Sequence, residues 1–225
     1  AHNTALSIVD CVTSLGACNV PVDEWKLDIV ASGSQKGYMI PPGLSFISMS
    51  KKAWEAVEKS NLPKFYLNLK SYRKSLLSNS NPYTPAVNLV FALDEALKMM
   101  REEGLDNIFL RHNKHKLAMS NAVKALNLKL FADEKYLSPS ITAIKTEGID
   151  AEEFRKTIKN NFDILLAGGQ DHLKGKIFRV GHLGYVNDRD IISVVSAISN
   201  TLLSLGKISA QQAGEALIVA SKYLK

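Results

Sequence analysis

Three short apolar runs, each joined to its neighbours by turn residues, set what this chain can fold into. Ala5-Leu6-Ser7-Ile8-Val9-Asp10 ends in a carboxylate, the pattern of a buried parallel strand whose carboxyl end faces a crevice. Asp28-Ile29-Val30-Ala31 predicts a second strand, which delivers the small polar turn Ser32-Gly33-Ser34-Gln35-Lys36-Gly37. Leu44-Ser45-Phe46-Ile47-Ser48-Met49, after Pro41-Pro42-Gly43, predicts a third, leading into a helix capped by Ser50. Ligands of α/β proteins bind at such strand ends, so the carboxylate and the lysine turn are placed where chemistry is expected.

Downstream the period changes. Residues 63–80 predict an aromatic and basic helix, and Asn79-Ser80-Asn81-Pro82-Tyr83-Thr84-Pro85 a turn-rich crossing. Val87, Val90, Phe91, Leu93, Ala96, Leu97 and Met100 form an apolar stripe at helical spacing that stops at Gly104, a C-terminal cap; a further helix follows over 105–126. The last third mixes strands at 129–131, 141–144, 164–166 and 177–180 with helices at 151–160 and 189–205, Asn187, Asp188 and Asp190 sitting where caps and first-turn acids belong. A final helix over 209–224 carries Ala213, Ala216, Leu217, Val219 and Ala220 on one side, for docking on the body or on a partner. Two domains are expected, 1–105 and 106–225, the second a smaller α+β unit.

Composition narrows the function classes. Apolar residues make up 46% of 225, enough for a substantial core, and no apolar run is long enough to span a membrane. The opening Ala1-His2-Asn3-Thr4 lacks the pattern of a signal peptide, and Cys11 and Cys18 read as small core residues, which together predict a cytoplasmic protein. The net charge of +6 comes from scattered lysines, not from one basic face interleaved with aromatics, so no nucleic-acid partner is expected. His112 and His115 share a helical face but lack a carboxylate or third ligand; they read as surface residues, and no metal is expected.

A lysine among small residues brings its amine and backbone close to a flat cofactor, and an upstream carboxylate meets that cofactor from the other end, which suggests pyridoxal phosphate. Each residue also has a plainer reading. Lys36 in a Ser/Gly turn is a solvated loop residue, Asp10 caps the turn that follows it, Arg179 forms a surface ion pair, and His182 is a satisfied structural histidine.

Taken in order, Val9-Asp10-Cys11-Val12-Thr13-Ser14-Leu15-Gly16, Ser32-Gly33-Ser34-Gln35-Lys36-Gly37, Pro41-Pro42-Gly43 and Arg179-Val180-Gly181-His182-Leu183-Gly184 resemble the class V aminotransferases. The branch they resemble is that of the alanine–glyoxylate, serine–pyruvate and serine–glyoxylate aminotransferases. The resemblance implies an α/β chain that is the C-terminal part of a fold-type I pyridoxal-phosphate transferase, with a partial large domain whose mixed sheet is mostly parallel and a small α+β domain. It implies that Lys36 holds pyridoxal 5'-phosphate and moves a proton, that Asp10 pairs with the pyridine nitrogen, that Val12 packs on the ring and that Gln35 donates to the phosphate. Arg179 is implied as the bidentate partner of the substrate α-carboxylate. Thr84 is implied to reach the phosphate of the neighbouring subunit, making a homodimer with shared active sites; the chain departs from the family here, with Asn81 in place of a tyrosine three residues earlier. His182 receives no role.

The resemblance also implies what to look for and not find. The family carries, ahead of the aspartate strand, a Ser/Gly helix start that cradles the phosphate and an aromatic that stacks on the ring, and neither is present in this sequence. Two functions follow. One is a transaminase that moves an amino group from alanine or serine to glyoxylate or pyruvate by a ping-pong route; the other is a noncatalytic fragment or paralogue that keeps the scaffold and serves an assembly.

Overall fold

Strand β1 (Ile8–Asp10) pairs in parallel with β2 (Ile29–Gly33), setting Ile8 beside Ile29 and Asp10 beside Ala31, and β3 (Ser45–Met49) adds to β2 in the antiparallel sense. These coordinates are a computed structural model that describes residues 5–225; the opening Ala1-His2-Asn3-Thr4 lies outside the described residues. The chain divides into two units, one running to Leu15 and again over Asn19–Glu102, the other made of Gly16–Cys18 and Glu103–Lys225.

In the first unit, a buried carboxylate ties the strands together. Asp28 accepts from the Ser7 backbone N–H at 3.0 Å and the Ser50 hydroxyl at 2.8 Å, while its own N–H donates to Ser7 Oγ at 2.8 Å. The Ser7 N–H, then Ser50, then the Lys52 ammonium hold its carboxyl below the usual carboxylate range. Ser50 also caps helix α1 (Lys51–Lys59), accepting from the Ala53 N–H at 3.1 Å. One aspartate thus aligns the starts of two strands and a helix.

Three expectations for this unit are corrected. β1 is parallel but not buried: Ile8 is 71% exposed, because among the described strands β1 is an edge that pairs with β2 alone. Helix α2 (Leu69–Leu77) starts at the Asn68 cap and not at Pro63, since Phe65 and Tyr66 instead pack against Tyr83, whose hydroxyl donates to the Phe65 carbonyl at 2.9 Å. Helix α3 (Val87–Glu103) buries Ala96 and Met100, whereas Phe91 at the head of the stripe is 72% exposed; helical spacing says which residues share a face, not what covers it.

The second unit begins with helix α4 (Leu105–Ala125), entered through Gly104 at φ +82°, a conformation that favours glycine. Its sheet is antiparallel throughout, in the order β4 (Lys129–Leu130), β5 (Ile141–Lys145), β7 (Ile177–Gly181), β6 (Ala167–Gly168). Helices α5 (Ala151–Phe162), α6 (Asp188–Ser204) and α7 (Ala210–Tyr223) join α4 in enclosing the core, in which Met119, Ile144, Phe178, Ile198 and Leu202 are buried. Asn187 and Asp190 form a reciprocal capping box on α6. Ala216 and Ala220 of α7 lie in this same core, so the last helix docks on the body of its own unit.

The strand expected at 164–166 is displaced to Ala167–Gly168. Asp163 ends α5 in the left-handed conformation at φ +54°, and the Leu166 carbonyl is taken by the Arg155 side chain at 2.8 Å, so the ladder begins one residue later.

The histidines reverse another expectation: His112 and His115 are fully buried. His112 Nδ1 lies 2.7 Å from the Ile108 carbonyl and Nε2 accepts the Gly184 N–H at 3.1 Å, which fixes a neutral ring with its proton on Nδ1. His115 Nε2 meets Asp188 Oδ1 at 2.9 Å, and its Nδ1 is buried without a hydrogen-bond partner among the described residues. His182 is the satisfied structural histidine expected, between Thr142 Oγ1 at 2.8 Å and the Pro139 carbonyl at 3.0 Å. Burial first, and then the neighbouring His115, hold its pKa down to about 4.

Because the unfolded ring titrates near 6.5, the folded unit refuses a proton that the unfolded chain takes up as the pH falls from about 6.5 to 4. His182 therefore contributes stability above that window that is lost on acidification, about 3 kcal/mol in all. In denaturant titrations at stepped pH, His182→Gln flattens the slope between pH 6.5 and 4; an unchanged slope counts against this assignment.

Candidate functional site at the strand ends

Parallel pairing brings the carboxyl end of β1 beside that of β2, and four of the residues singled out in the sequence lie there. Asp10 is the last residue of β1, followed by Cys11 and Val12; β2 runs out through Ser32 and Gly33 into the turn that carries Gln35 and Lys36. The strands stay joined past Asp10: the Cys11 N–H donates to the Ala31 carbonyl at 2.8 Å, and the Ser32 hydroxyl to the Cys11 carbonyl at 3.4 Å.

The turn is held from inside by a residue not flagged by the motif. Ser34 is fully buried; its hydroxyl donates to the Pro41 carbonyl at 2.8 Å and accepts the Leu44 N–H at 3.2 Å, clamping both ends of the excursion from β2 to β3. Tyr38 packs on Phe46 with ring centroids 4.8 Å apart, and burial pushes its hydroxyl pKa up, countered in part by Ser32. In the sequence Ser34 is only a small neighbour of Lys36, and its sole signal is a hydroxyl residue repeated on either side of Gly33. Gly33 lies close under the Gln35 side chain: a Cβ there would stand 2.9 Å from Gln35 Oε1, which would swing aside.

Asp10 does the plainer job assigned to it: Oδ1 accepts the Val12 N–H at 2.8 Å. That bond engages one carboxylate oxygen, and the other makes no hydrogen bond among the described residues. The half-buried Lys36 amine likewise has no hydrogen bond or ion pair among them. An acid and an amine at adjacent strand ends, each with bonding capacity to spare, is the donor set that a pyridine ring bearing a phosphate and an aldehyde calls for, so these residues fit pyridoxal phosphate. The Cys11 thiol beside them is buried, and burial, with the Asp10 charge adding to it, pushes its pKa up.

Thr84 is exposed in the crossing between α2 and α3, and Asn81 lines a groove of about 290 Å³ with Trp54, Tyr72 and Arg73 in the same unit. Arg179 belongs to the second unit, on β7, where its Nε donates to the Gly168 carbonyl at 2.8 Å. The surface ion pair allowed for Arg179 is not formed among the described residues, and its terminal nitrogens are left for another partner.

A groove of about 630 Å³ in the second unit is lined by Arg111, Lys114, Asp188 and Arg189. Most of its charge is internally matched, since Arg111 binds both oxygens of Glu103 at 2.6 and 2.9 Å and Lys114 lies 3.5 Å from Asp188. Among the described residues no cluster of three or more His, Cys, Asp or Glu is arranged to hold a metal ion, and no helix is long and apolar enough to cross a membrane.

Comparison with known proteins identifies the family. The family described as aminotransferase class-V matches residues 1–186. The chain is 59% identical over 206 residues to a protein of Synechococcus named soluble hydrogenase, small subunit, covering 92% of this chain and 54% of that one. It is 35% identical to the serine–glyoxylate aminotransferase of Methylorubrum extorquens, over 100% of this chain and 57% of the relative. The crystal structure of ureidoglycine–glyoxylate aminotransferase from Bacillus subtilis superposes with a TM-score of 0.89 at 31% identity, covering 97% of this chain and 58% of that one. The chain thus spans about half the length of the relatives it matches.

The two duties of Asp10 separate by substitution. Asp10→Asn keeps an acceptor for the Val12 N–H and holds stability, while Asp10→Ala loses about 0.5 kcal/mol. Matched denaturation curves read the difference, and equal losses in both variants count against the turn cap.

Proposed function

This chain belongs to the class V aminotransferases, and on that premise we propose that the protein moves an amino group from a small amino acid, alanine or serine, to glyoxylate or pyruvate, with pyridoxal 5'-phosphate as cofactor. The observation that carries the reading is the placement of Asp10 and Lys36 at the carboxyl ends of adjacent parallel strands. Glyoxylate as acceptor is supported by the printed names of the serine–glyoxylate and ureidoglycine–glyoxylate relatives.

The cofactor, when bound, supplies an electron sink for the substrate α-carbon. The chain does the rest. Lys36 Nζ would hold the cofactor, and the same amine would serve as general base and then acid for the substrate α-proton. The Asp10 carboxylate keeps a proton on the ring nitrogen, leaning on Val12 N–H through one oxygen and presenting the other. Val12 would cover a ring face, Gln35 would donate to the phosphate, and Thr84 would reach the phosphate held by a second copy in a homodimer. Arg179 clamps the substrate carboxylate with its terminal nitrogens, since Nε is already engaged by Gly168. Donor and acceptor use the same clamp in succession, which is a ping-pong route, and such chemistry suits the cytoplasm.

A second reading has one observation in its favour. The Synechococcus relative at 59% identity bears the name of a hydrogenase subunit, which suits a noncatalytic member of an assembly that keeps this scaffold. The purified protein, supplied with pyridoxal phosphate and reduced with borohydride, separates the two. A mass adduct on Lys36, absent from Lys36→Ala, together with amino transfer from a donor panel to glyoxylate, supports the enzyme; a protein without adduct or turnover supports the assembly subunit. In the active protein, Arg179→Ala raises KM for every amino donor about 30-fold or more, equivalent to at least about 2 kcal/mol. Unchanged steady-state kinetics remove Arg179 from the site.

A further inference from the structure

Arg179 is aimed by a carbonyl that is itself held from behind. The Gly168 carbonyl that accepts the Arg179 Nε belongs to β6, a strand of only two residues, which pairs with β7 through Ala167 opposite Arg179 and Gly168 opposite Phe178. So short a ladder fixes the direction of its carbonyls weakly. Arg155 of α5 adds the missing constraint: its Nε donates to the Leu166 carbonyl at 2.8 Å, and its Nη1 donates to Glu152 Oε2 at 2.8 Å. The pair lies hard against the strand, for a Cβ built on Gly168 would stand 2.5 Å from Arg155 Nη1 and 2.7 Å from Glu152 Oε1. A side chain at Gly168 would push the ends of both Arg155 and Glu152 out of these positions.

We propose that Glu152, Arg155 and Gly168 are a positioning set that orients the guanidinium of Arg179 for the substrate carboxylate. The inference rests on the reading of Arg179 as the carboxylate clamp. Glu152 fixes the plane of Arg155, Arg155 fixes β6 through Leu166, and the Gly168 carbonyl fixes the Nε edge of Arg179, leaving the opposite edge to bind. A planar bidentate contact tolerates little rotation, so a small displacement of β6 is felt in substrate binding well before it is felt in the core. None of the three touches the reacting atoms; they act through Arg179.

Steady-state transamination by the purified holoenzyme tests this with Arg155→Ala, Arg155→Lys, Gly168→Ala and Arg179→Ala, and with the Arg155→Ala/Arg179→Ala double variant. Arg155→Ala and Gly168→Ala each raise KM for amino donors roughly tenfold with kcat within about twofold, and Arg155→Lys recovers part of the loss. Once Arg179 is absent, removing Arg155 changes KM less than about twofold, because the two act in series. Without cofactor or substrate, the Nε–H of Arg179 exchanges with water faster in Arg155→Ala and Gly168→Ala than in the parent, as read by NMR. The proposal is overturned if Arg179→Ala raises KM while the Arg155 and Gly168 variants do not, or if Arg155→Ala costs as much in the Arg179→Ala background as in the parent. If Arg179→Ala itself leaves KM unchanged, the carboxylate clamp falls and this proposal with it. Should Arg155→Ala not fold, Gly168→Ala and Arg155→Lys carry the same comparison.

Discussion

Parallel pairing between Ile8–Asp10 and Ile29–Ala31 is what the candidate site depends on, because it is the only described element that sets a carboxylate and a lysine-bearing turn side by side. A parallel ladder cannot be closed by a hairpin, so its register needs an anchor elsewhere. Asp28 is that anchor. By accepting from the Ser7 N–H and the Ser50 hydroxyl, it starts β2 level with β1, and the same register carried forward brings Asp10 opposite Ala31. At the far end Ser34 keeps the turn from straying by holding both Pro41 and Leu44. Chemistry at one end of the sheet is thus positioned by polar groups buried at both.

The two units carry different kinds of order. In the first, apolar residues such as Ile8 and Phe91 stand open while buried hydroxyls and a carboxylate hold the backbone. In the second, a continuous apolar core is formed by four helices and an antiparallel sheet, and three histidines are buried in the same unit. Arg179 stands on the second kind of order, where its strand is packed on both sides of the sequence by Phe178 and Val180.

Much of this was legible in the sequence, and the failures have a common cause. The strands that carry Asp10 and Arg179, the Ser50 and Asn187 caps and the end of α3 at Gly104 are local features, set by residues a few positions apart. What was missed depends on distant partners. His112 and His115 have no sequence signal that distinguishes a surface pair from a buried one; Gly184 and Asp188, more than seventy residues away, decide it. The displacement of β6 comes from Arg155 taking the Leu166 carbonyl, and the late start of α2 from Tyr83 reaching Phe65. At the site, the motif marked the residues with reactive groups, Asp10 and Lys36, but not Ser34 or Gly168, whose importance lies in a hydroxyl turned inward and in a missing side chain.

The state of Cys11 has a consequence for selectivity among nucleophiles. A thiol that burial and a flanking carboxylate keep protonated is slow to attack carbonyls or alkylating reagents, since the thiolate is the reactive form. An electrophile arriving at these strand ends therefore finds the sulfur in its less reactive, protonated form. The chain can carry a cysteine next to its acid without diverting an aldehyde into a dead-end thio-adduct.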